Sequence, residues 1–382
     1  MNTLRVGLFT ECYRPIQNGV VASVDALAQA IRACGHEALC VTPNMPGYHE
    51  AHEFVVRIPS LPLPTRTAYR LTLPFVTNER VAHALARLSV VHAHSPFVTG
   101  WMGARLARRL RVPLVFTYHT QLEEYAHYFP FESNVTRNAA SQLTRRYANG
   151  ADAVIVPTEA MERHLRDLGV ATRIEIVPSG IDVGLFSAGR RREDLRARLG
   201  VPDGVKMVVS VGRLGREKNV ELALEAFARL EGPAHFVIVG DGPRRESLER
   251  MTQRAGLAAR TTFAGEFDRS ALPDVYASAD ALIFTSTSET QGLVLVEALA
   301  TGLPVVAVDS PQTRDVLGEF GAVAAADPAA LAAALAQTLA RDLNRARISQ
   351  VTAERFDGRI LANRVLEIYA DLTSSAPALA VS

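Results

Sequence analysis

The chain has few cysteines, almost no lysine and no long apolar segment. Its three cysteines, Cys12, Cys34 and Cys40, show no metal-ligand spacing and an odd count, which suits a reducing compartment. No apolar run reaches the ~18 residues that span a bilayer, and MNTLRVGLFTE is more typical of a first strand than of a secretion signal. A net charge of +1 lacks the basic excess of a nucleic-acid-binding domain. The sequence therefore predicts a cytoplasmic protein without a nucleic-acid partner.

Short apolar segments alternate with helical stretches in both halves of the 382 residues. Strands separated by helices form a parallel, doubly wound sheet, so the pattern predicts the α/β class with two Rossmann-like domains. The Pro- and Gly-containing residues 177–189, VPSGIDVGLFSAG, predict the join between them. One face of a final helix is predicted at Phe356, Ile360, Val365, Ile368 and Tyr369.

Two carboxylates, Glu289 and Glu297, are the main candidates for binding a polar ligand. Glu289 follows the apolar strand DALIF, and α/β proteins bind ligands beyond the carboxyl ends of such strands. A helix start at Gly292 would place Glu297 about a turn and a half into the helix. The N–H groups of Gly292, Leu293 and Val294 would then face a phosphate. A capped helix with two surface glutamates fits the same residues.

A second candidate site follows the strand of VSVGRLGREKNVELAL, which contains Arg213 and Lys218. The chain has 39 Arg and only 2 Lys, so a lysine here indicates a place that favours a compact ammonium. Arg213 offers a planar guanidinium suited to phosphate oxygens. An exposed charged loop is the alternative interpretation.

The dinucleotide-binding fingerprint is missing from both halves. ECYRPIQNGV after the first strand has no G-x-G-x-x-G, and VGDGPRRE has Arg245 where the third glycine belongs. The first loop instead ends in Asn18-Gly19, where the absence of a side chain lets a phosphate or sugar approach the backbone. Taken without the other motifs, Gly19 is more typical of a plain turn.

Together these motifs resemble the retaining glycosyltransferases of family four, along nearly the whole chain. The resemblance implies the GT-B fold, in which two Rossmann-like domains face across a cleft and the C-terminal helix crosses back to the first. It implies an acceptor-side domain at residues 1–183 with about 363–382, and a nucleotide-sugar-binding domain at residues 184–362. No further cofactor is implied.

The resemblance also assigns roles. Gly19, Arg213 and Lys218 would face the donor diphosphate, Glu289 the sugar hydroxyls and Glu297 the ribose hydroxyls. His119 resembles the family histidine near the reacting carbon, although a lone histidine is more often structural. The loop around Phe267 would receive the base through backbone contacts.

Within the family, FTYHTQLEEYAHY and SETQGLVLVEALATGLPVV look most like transferases that glucosylate diacylglycerol, with Tyr118 to Tyr128 and Gln291 as the specific points. UDP-glucose is then the expected donor. Glu11, where the lipid enzymes usually have Asp, departs from the pattern. The apolar residues 61–76 could admit acyl chains or be packed core. Arg105, Arg108 and Arg109 could dock on an anionic inner membrane surface or be a solvated helix face.

No metal site is expected, because no Asp, His or Cys cluster has ligand spacing and because two cations are available for the leaving phosphate. A soluble glycan or small-molecule acceptor, including one that receives mannose, competes with the lipid. A nucleotide-sugar epimerase and a non-catalytic nucleotide-sugar sensor remain alternatives from other classes.

Overall fold

The computed structural model describes residues 3–50, 52–62, 69–74, 79–123 and 134–375. It separates into two compact units. One comprises Met1–Gly180 with Gly358–Ser382, and the other comprises Ile181–Asp357. The sequence had set the boundaries at residues 183/184 and 362/363.

The first unit contains a parallel sheet of seven strands in the order β3-β2-β1-β6-β7-β8-β9, with a separate antiparallel hairpin, β4-β5. Its strands are β1 Arg5–Phe9, β2 Glu37–Pro43, β3 Val55–Ile58, β4 Ser60–Pro62, β5 Arg70–Thr72, β6 Val90–Ala93, β7 Leu114–Thr117, β8 Ala153–Val156 and β9 Ile174–Ile176. The helices of its segment before Gly180 are α1 Gly19–Ala33, α2 Glu79–Leu85, α3 Val98–Leu110, α4 Asn134–Ala148 and α5 Glu159–Asp167.

The second unit contains a parallel sheet of six strands in the order β12-β11-β10-β13-β14-β15. These strands are β10 Lys206–Val211, β11 Ala234–Val239, β12 Thr261–Gly265, β13 Ala281–Phe284, β14 Val305–Val308 and β15 Gly321–Ala324. The helices are α6 Val183–Ser187, α7 Glu193–Arg198, α8 Val220–Ala228, α9 Arg245–Arg254, α10 Leu272–Ser278, α11 Leu293–Ala300, α12 Pro311–Leu317, α13 Pro328–Ala340 and α14 Arg345–Phe356. Short 3-10 helices occupy Arg216–Lys218 and Ala258–Arg260.

Helices cover both faces of each sheet, which explains why the central strands are continuously apolar. Strands β6, β7, β8, β13 and β14 are buried at every position. Successive side chains point to opposite faces, so Val208 and Val209 of β10 belong to two different core clusters. The predicted α/β class with two Rossmann-like domains is confirmed.

The last helix, α15 Gly358–Ser375, belongs to the first unit, where Val365, Ile368 and Tyr369 pack with residues of α1 and β1. The prediction of one helix face running from Phe356 was wrong. Phe356 ends the preceding helix α14 and lies in the core of the second unit, and Ile360 is 56% exposed. Asp357 is extended and separates the two helices.

No helix among the described residues combines the length and the apolar character needed to cross a membrane.

Candidate active site

Two loops meet at the carboxyl edge of the second sheet. Strand β10 ends at Val211 and leads through Arg213 to the 3-10 helix that ends at Lys218. The loop after β13 is fastened to that turn, because Thr285 Oγ1 donates to the Lys218 carbonyl at 3.0 Å and Ser286 Oγ to the Glu217 carbonyl at 3.0 Å. The two sequence motifs that predicted a ligand site are thus joined in the fold.

Lys218 and Glu289 form an ion pair through Nζ and Oε1. Ser286 Oγ also lies 3.1 Å from Glu289 Oε1, so its single proton is shared between this oxygen and the Glu217 carbonyl. Burial alone would raise the pKa of Glu289, but the charge and hydrogen bond of Lys218, with the hydroxyl of Ser286, outweigh it and lower the pKa. Glu289 is therefore a carboxylate at neutral pH, with one oxygen already engaged.

Arg213 is exposed, and its Nη1 lies 4.0 Å from Oε1 of the buried Glu217 side chain. It stands one residue beyond Gly212 at the end of β10. A guanidinium is a planar group whose donors match phosphate oxygens.

Gly292 is the residue that precedes α11 and turns the chain into it. Its backbone is left-handed, with φ of 78°, a conformation that glycine adopts without steric cost. A Cβ there would also stand 3.2 Å from the side chains of Leu295 and Phe284. The helix begins at Leu293, so Gly292, Leu293 and Val294 occupy the predicted N-terminal positions.

Glu297 lies inside α11 and is almost enclosed, with 4% of its side chain exposed. Its Oε1 is 2.9 Å from Arg269 Nη1, and its Oε2 accepts a hydrogen bond of 3.1 Å from the hydroxyl of the buried Tyr276. Burial raises the pKa of Glu297, and Arg269 and Tyr276 counteract only part of that rise. Both oxygens expected to receive ribose hydroxyls therefore have protein partners.

Phe267 lies beyond β12, and its partly buried ring packs against the core of the second unit. The backbone of this loop is what the sequence analysis assigned to the base.

The first unit holds three histidines around the ends of β6 and β7. His119 Nε2 and His94 Nδ1 share a hydrogen bond of 2.9 Å, and their rings are stacked with centroids 5.2 Å apart. The ring of His92 lies 4.2 Å from that of His94. His92 bonds on either side to the hydroxyls of Tyr369 and Thr117, each at 2.6 Å. His119 is thus one member of a cluster that reaches α15.

The three imidazoles are neutral at physiological pH. Burial lowers the pKa of His92 to about 3 and that of His119 to about 4. Burial, and the neighbouring His92 and His119, hold the pKa of His94 well below its usual value. Among the described residues His94 Nε2 has no hydrogen-bond partner, and His94 lines a cavity of about 40 Å³ that also contacts Ser23 and Ser179. Such a space can hold a buried water.

Gly19 is the first residue of α1, whose amino end is capped by Asn18 Oδ1 at 2.9 Å from Val21 N. Glu11 of the preceding loop accepts hydrogen bonds from Thr99 N at 3.0 Å and from Thr72 Oγ1 at 2.8 Å. It ties the hairpin β4-β5 to the amino end of α3. The longer glutamate side chain therefore has a structural role at the position where the sequence departs from the lipid enzymes.

The hairpin presents apolar side chains to solvent. Leu61 and Leu71 are cross-strand partners and are 52% and 45% exposed. Tyr69 and Phe97 are also exposed, and Tyr69 Oη accepts from Asn18 Nδ2 at 3.3 Å. Of residues 61–76, the structure describes 61–62 and 69–74. Residues 61–62 and 70–72 are strand residues, and among them Thr72 is buried whereas both leucines are exposed.

Sequence comparison identifies the family. Residues 191–355 match the model for "Glycosyl transferases group 1", and residues 17–185 match "Glycosyltransferase Family 4". A curated "Alpha-monoglucosyldiacylglycerol synthase" from Streptococcus pneumoniae is 31% identical, over 96% of this chain and 86% of that protein. The chain belongs to the family-four glycosyltransferases.

The transferase has other curated relatives, one of which is named for a GDP-mannose donor. A "GDP-mannose-dependent alpha-mannosyltransferase" from Mycobacterium tuberculosis is 34% identical, over 82% of this chain and 81% of that protein. Sucrose-phosphate synthase from Thermosynechococcus elongatus has a similar structure, with a TM-score of 0.78 and 23% identity over 97% of this chain and all of that one. Anabaena HepE, solved with UDP-glucose, has a TM-score of 0.75 and 22% identity, over 96% of this chain and all of that one. These structures confirm the GT-B fold.

Several residues of the transferase site were missed by sequence reasoning. Arg269 and Tyr276 lie in segments without a recognisable motif, so their contacts with Glu297 had no signal. His92 and His94 stand as H-x-H at the end of a predicted strand, and that pairing with His119 was a usable signal. Lys218 and Glu289 form an ion pair in the structure. The sequence analysis had instead assigned Lys218 to the donor diphosphate and Glu289 to the sugar hydroxyls.

Other predictions concern the first unit of the transferase. Arg105, Arg108 and Arg109 are exposed on α3, whereas Trp101 and Met102 pack against the core. Tyr118 is buried, but residues 124–133 lie outside the described part of the chain, and they include residues 124–128 of the Tyr118 to Tyr128 block. Among the described residues no three His, Cys, Asp or Glu side chains converge as metal ligands would. The ligand-binding roles of all named residues stay predictions.

Proposed function

We propose that this glycosyltransferase moves glucose from UDP-glucose to a hydroxyl of diacylglycerol or a related lipid, with retention of anomeric configuration and without a metal ion. The named activity of its Streptococcus pneumoniae relative supports a lipid product. A second relative with the same name, from Acholeplasma laidlawii, is 31% identical over 79% of this chain and 80% of that protein.

The observation that carries the lipid acceptor is the exposed apolar hairpin of the first unit. Leu61 and Leu71 stand side by side in solvent, and Tyr69 lies against Asn18 at the amino end of α1. Exposed apolar groups gathered in one place are typical of a surface that binds an apolar partner. Acyl chains are the apolar part of diacylglycerol, so this hairpin is the proposed contact.

The donor would bind at the carboxyl edge of the second sheet. Arg213 and Lys218 would stabilise the negative charge that develops on the β-phosphate as the sugar leaves, a role that needs ionised groups already in place. Glu289, held by Lys218, would receive donor-sugar hydroxyls. Glu297 would receive the ribose hydroxyls once Arg269 yields Oε1 to them.

The reaction is proposed to proceed on one face of the sugar. The acceptor oxygen forms a bond to the anomeric carbon while the bond from that carbon to the β-phosphate oxygen breaks. The departing phosphate takes the proton of the acceptor hydroxyl, so that UDP leaves and no enzyme nucleophile is consumed. In this scheme Glu289 and Glu297 bind the donor, unlike the paired carboxylates of retaining glycosidases.

Transfer of mannose from GDP-mannose is the second candidate, and the mannosyltransferase relative from Mycobacterium tuberculosis favours it. A soluble acceptor would accompany it as an alternative to the lipid.

A donor and acceptor panel tests the proposal. The protein is incubated with UDP-glucose, UDP-galactose or GDP-mannose, each with diacylglycerol in vesicles or with soluble sugars, and products are identified by mass spectrometry. We expect glucosyl-diacylglycerol from UDP-glucose, and an α-anomeric proton in its NMR spectrum. Efficient transfer to a soluble sugar, with none to diacylglycerol, would show that the proposed lipid acceptor is wrong. The assignment as a glycosyltransferase would still hold.

A matched pair of variants tests the hairpin itself. Leu61→Ser with Leu71→Ser should raise the KM for diacylglycerol, because the exposed apolar contact is removed, while UDP affinity is unchanged. Ile360→Ser is the control, since Ile360 is equally exposed but lies on α15. If both variants change the KM alike, the hairpin is not the acceptor surface.

A further inference from the structure

A cavity of about 490 Å³ opens in the second unit, away from the candidate donor site. Lys206 begins β10, Asp280 precedes β13 and Pro304 precedes β14, and all three line this cavity. It therefore lies at the amino edge of the sheet, whereas Arg213, Lys218 and Glu289 follow the carboxyl ends of strands. This cavity is thus separate from the candidate donor site.

The cavity carries more positive than negative charge. Its charged lining consists of Arg191, Lys206, Arg341 and Arg345 with Asp280 and Asp342. Four cations against two carboxylates leave a formal charge of +2. An interior of this size lies within the range of about 300–1,000 Å³ that small-molecule sites occupy.

Asp280 cannot balance the cations around it. Its Oδ1 is 3.4 Å from Arg191 Nη1 and 3.9 Å from Lys206 Nζ. Its Oδ2 is 3.3 Å from Arg196 Nη1, which lies behind the cavity. Glu193 also pairs with Arg191, at 2.9 Å, and with Arg196, at 3.3 Å. These three cations therefore share two carboxylates, and one positive charge is left for another anion.

Arg345 is the deepest cation of the cavity, and its hydrogen bonds go to neutral groups. Its Nη2 donates to the Ala279 carbonyl at 2.8 Å and its Nη1 to the Ala277 carbonyl at 3.5 Å. Burial lowers the pKa of Arg345, Asp280 raises it, and the like charge of Arg191 lowers it further. A bound anion would supply the neutralising charge that these carbonyls do not.

We propose that this cavity is a second binding site, specific for a soluble small molecule that carries a phosphate group. Arg and Lys are the side chains that bind phosphate, Arg through paired hydrogen bonds and Lys as a point charge. A charge of about −1.5 to −2 on a phosphate monoester at neutral pH matches the +2 of the lining. This inference does not depend on the donor or acceptor proposed above.

A membrane headgroup would supply the same phosphate chemistry, but the surroundings favour a soluble ligand. The exposed large hydrophobic side chains of the described residues lie in the first unit, apart from Val323. Val323 is not part of the cavity lining. A surface that docks on lipid needs apolar or extended basic surroundings, and this one is a local depression.

Titration calorimetry with inorganic phosphate and with glycerol 3-phosphate tests the site, at constant ionic strength in potassium chloride. We expect saturable binding that weakens about tenfold or more in Arg341→Ala, since hydrogen bonds to charged groups contribute about 1.5–3 kcal/mol. Arg345→Met should lose more affinity for phosphate. Because Arg345 also donates hydrogen bonds to two backbone carbonyls, its variant could affect folding as well as binding. Arg341 is exposed, so its variant separates binding from folding.

Two controls locate the heat of binding. Arg347→Ala removes an exposed cation of α14, the helix that begins at Arg345, and Arg347 does not line the cavity. Lys218→Met removes a cation of the donor site. Arg347→Ala should bind phosphate as the wild type does, and Lys218→Met should keep the binding that Arg341→Ala weakens. The proposal fails if neither probe binds, if Arg341→Ala binds as tightly as Arg347→Ala, or if Lys218→Met abolishes the heat.

Vesicles of phosphatidylglycerol distinguish the two sources of phosphate. The ligand is a lipid headgroup, and the soluble assignment is wrong, if two results coincide. The wild type would bind these vesicles whereas Arg341→Ala would not, and neither inorganic phosphate nor glycerol 3-phosphate would give a heat of binding. We expect Arg341→Ala to leave vesicle binding unchanged.

Discussion

The two units keep their candidate site residues in opposite electrostatic states. In the second unit, Glu289 and Glu297 are each paired with a cation, Lys218 and Arg269. In the first unit, His92, His94 and His119 are neutral, because burial lowers their pKa values. The candidate site of the second unit therefore consists of paired opposite charges, and that of the first unit consists of neutral imidazoles.

This difference indicates how each site would act on a ligand. Ionised groups that are already in place can stabilise a diphosphate without a proton transfer. A neutral imidazole such as that of His119 can only donate or accept one hydrogen bond at each nitrogen. Lowering the pH should therefore disturb the first unit, and removing single side chains should disturb the second.

The largest expected effect is a loss of stability of the first unit at acidic pH. The unfolded chain binds protons at its histidines below about pH 6.5, whereas folded His92 and His119, with pKa values of about 3 and 4, do not. Stability is therefore fully present above pH 6.5 and falls as the pH decreases towards 4. Each histidine lowers the free energy of unfolding by about 1.4 kcal/mol per pH unit in this range, and the three together lower it by about 4 kcal/mol per pH unit.

Urea unfolding at pH 7 and pH 5, followed by the fluorescence of Trp101, measures this effect. Trp101 is the single tryptophan of the chain and lies on α3 of the first unit, so the signal excludes the second unit. His94→Asn should remove about one third of the pH dependence. An unfolding free energy of the first unit that is equal at both pH values would contradict neutral histidines.

The next effect separates the two glutamates. Glu289→Ala should lower kcat about 100-fold, roughly 3 kcal/mol, because it also releases Lys218 from its place beside the diphosphate. Glu297→Ala should mainly weaken binding of UDP, since this residue is assigned to the ribose. Titration calorimetry with UDP alone distinguishes them. If Glu289→Ala loses as much affinity for UDP as Glu297→Ala, the division between sugar and ribose is wrong.

A smaller effect concerns the basic surface of α3. Arg105, Arg108 and Arg109 are exposed, and each contributes about 1 kcal/mol near an anionic membrane at low salt. Sedimentation with anionic vesicles should decrease with added salt and in the Arg105→Glu, Arg108→Glu, Arg109→Glu variant. Arg145→Glu with Arg146→Glu, at the end of α4, provides a control for charge alone. No sedimentation of the wild type at low salt would rule out membrane docking by this surface.

Sequence reasoning succeeded where a local pattern decides the structure. The apolar segments predicted the central strands of both sheets, because a parallel strand covered on both faces must be apolar throughout. Gly292 marked the start of α11, since its left-handed backbone favours glycine. Strands β3, β9 and β15 were not identified, and these three lie at sheet edges where they are only partly buried.

Contacts between distant segments were beyond the sequence. Arg269 reaches Glu297 and Tyr369 reaches His92 only after the chain has folded, and neither residue stands in a motif. Phe356 was placed on the last helix because periodicity alone cannot locate the break at Asp357. The site residues taken from the motifs are therefore a subset of those that the fold gathers.

The smallest expected effect is that of removing divalent ions. Arg213 and Lys218 stand at the same sheet edge, and the amide groups at the start of α11 add positive potential. If these groups stabilise the leaving diphosphate, transfer in excess EDTA should equal transfer in magnesium. Lys218→Met should lose activity equally with and without magnesium, because the ion does not replace the side chain. Complete loss of transfer in EDTA that magnesium or manganese restores would show that the reaction needs a metal, and would assign Arg213 and Lys218 a supporting role.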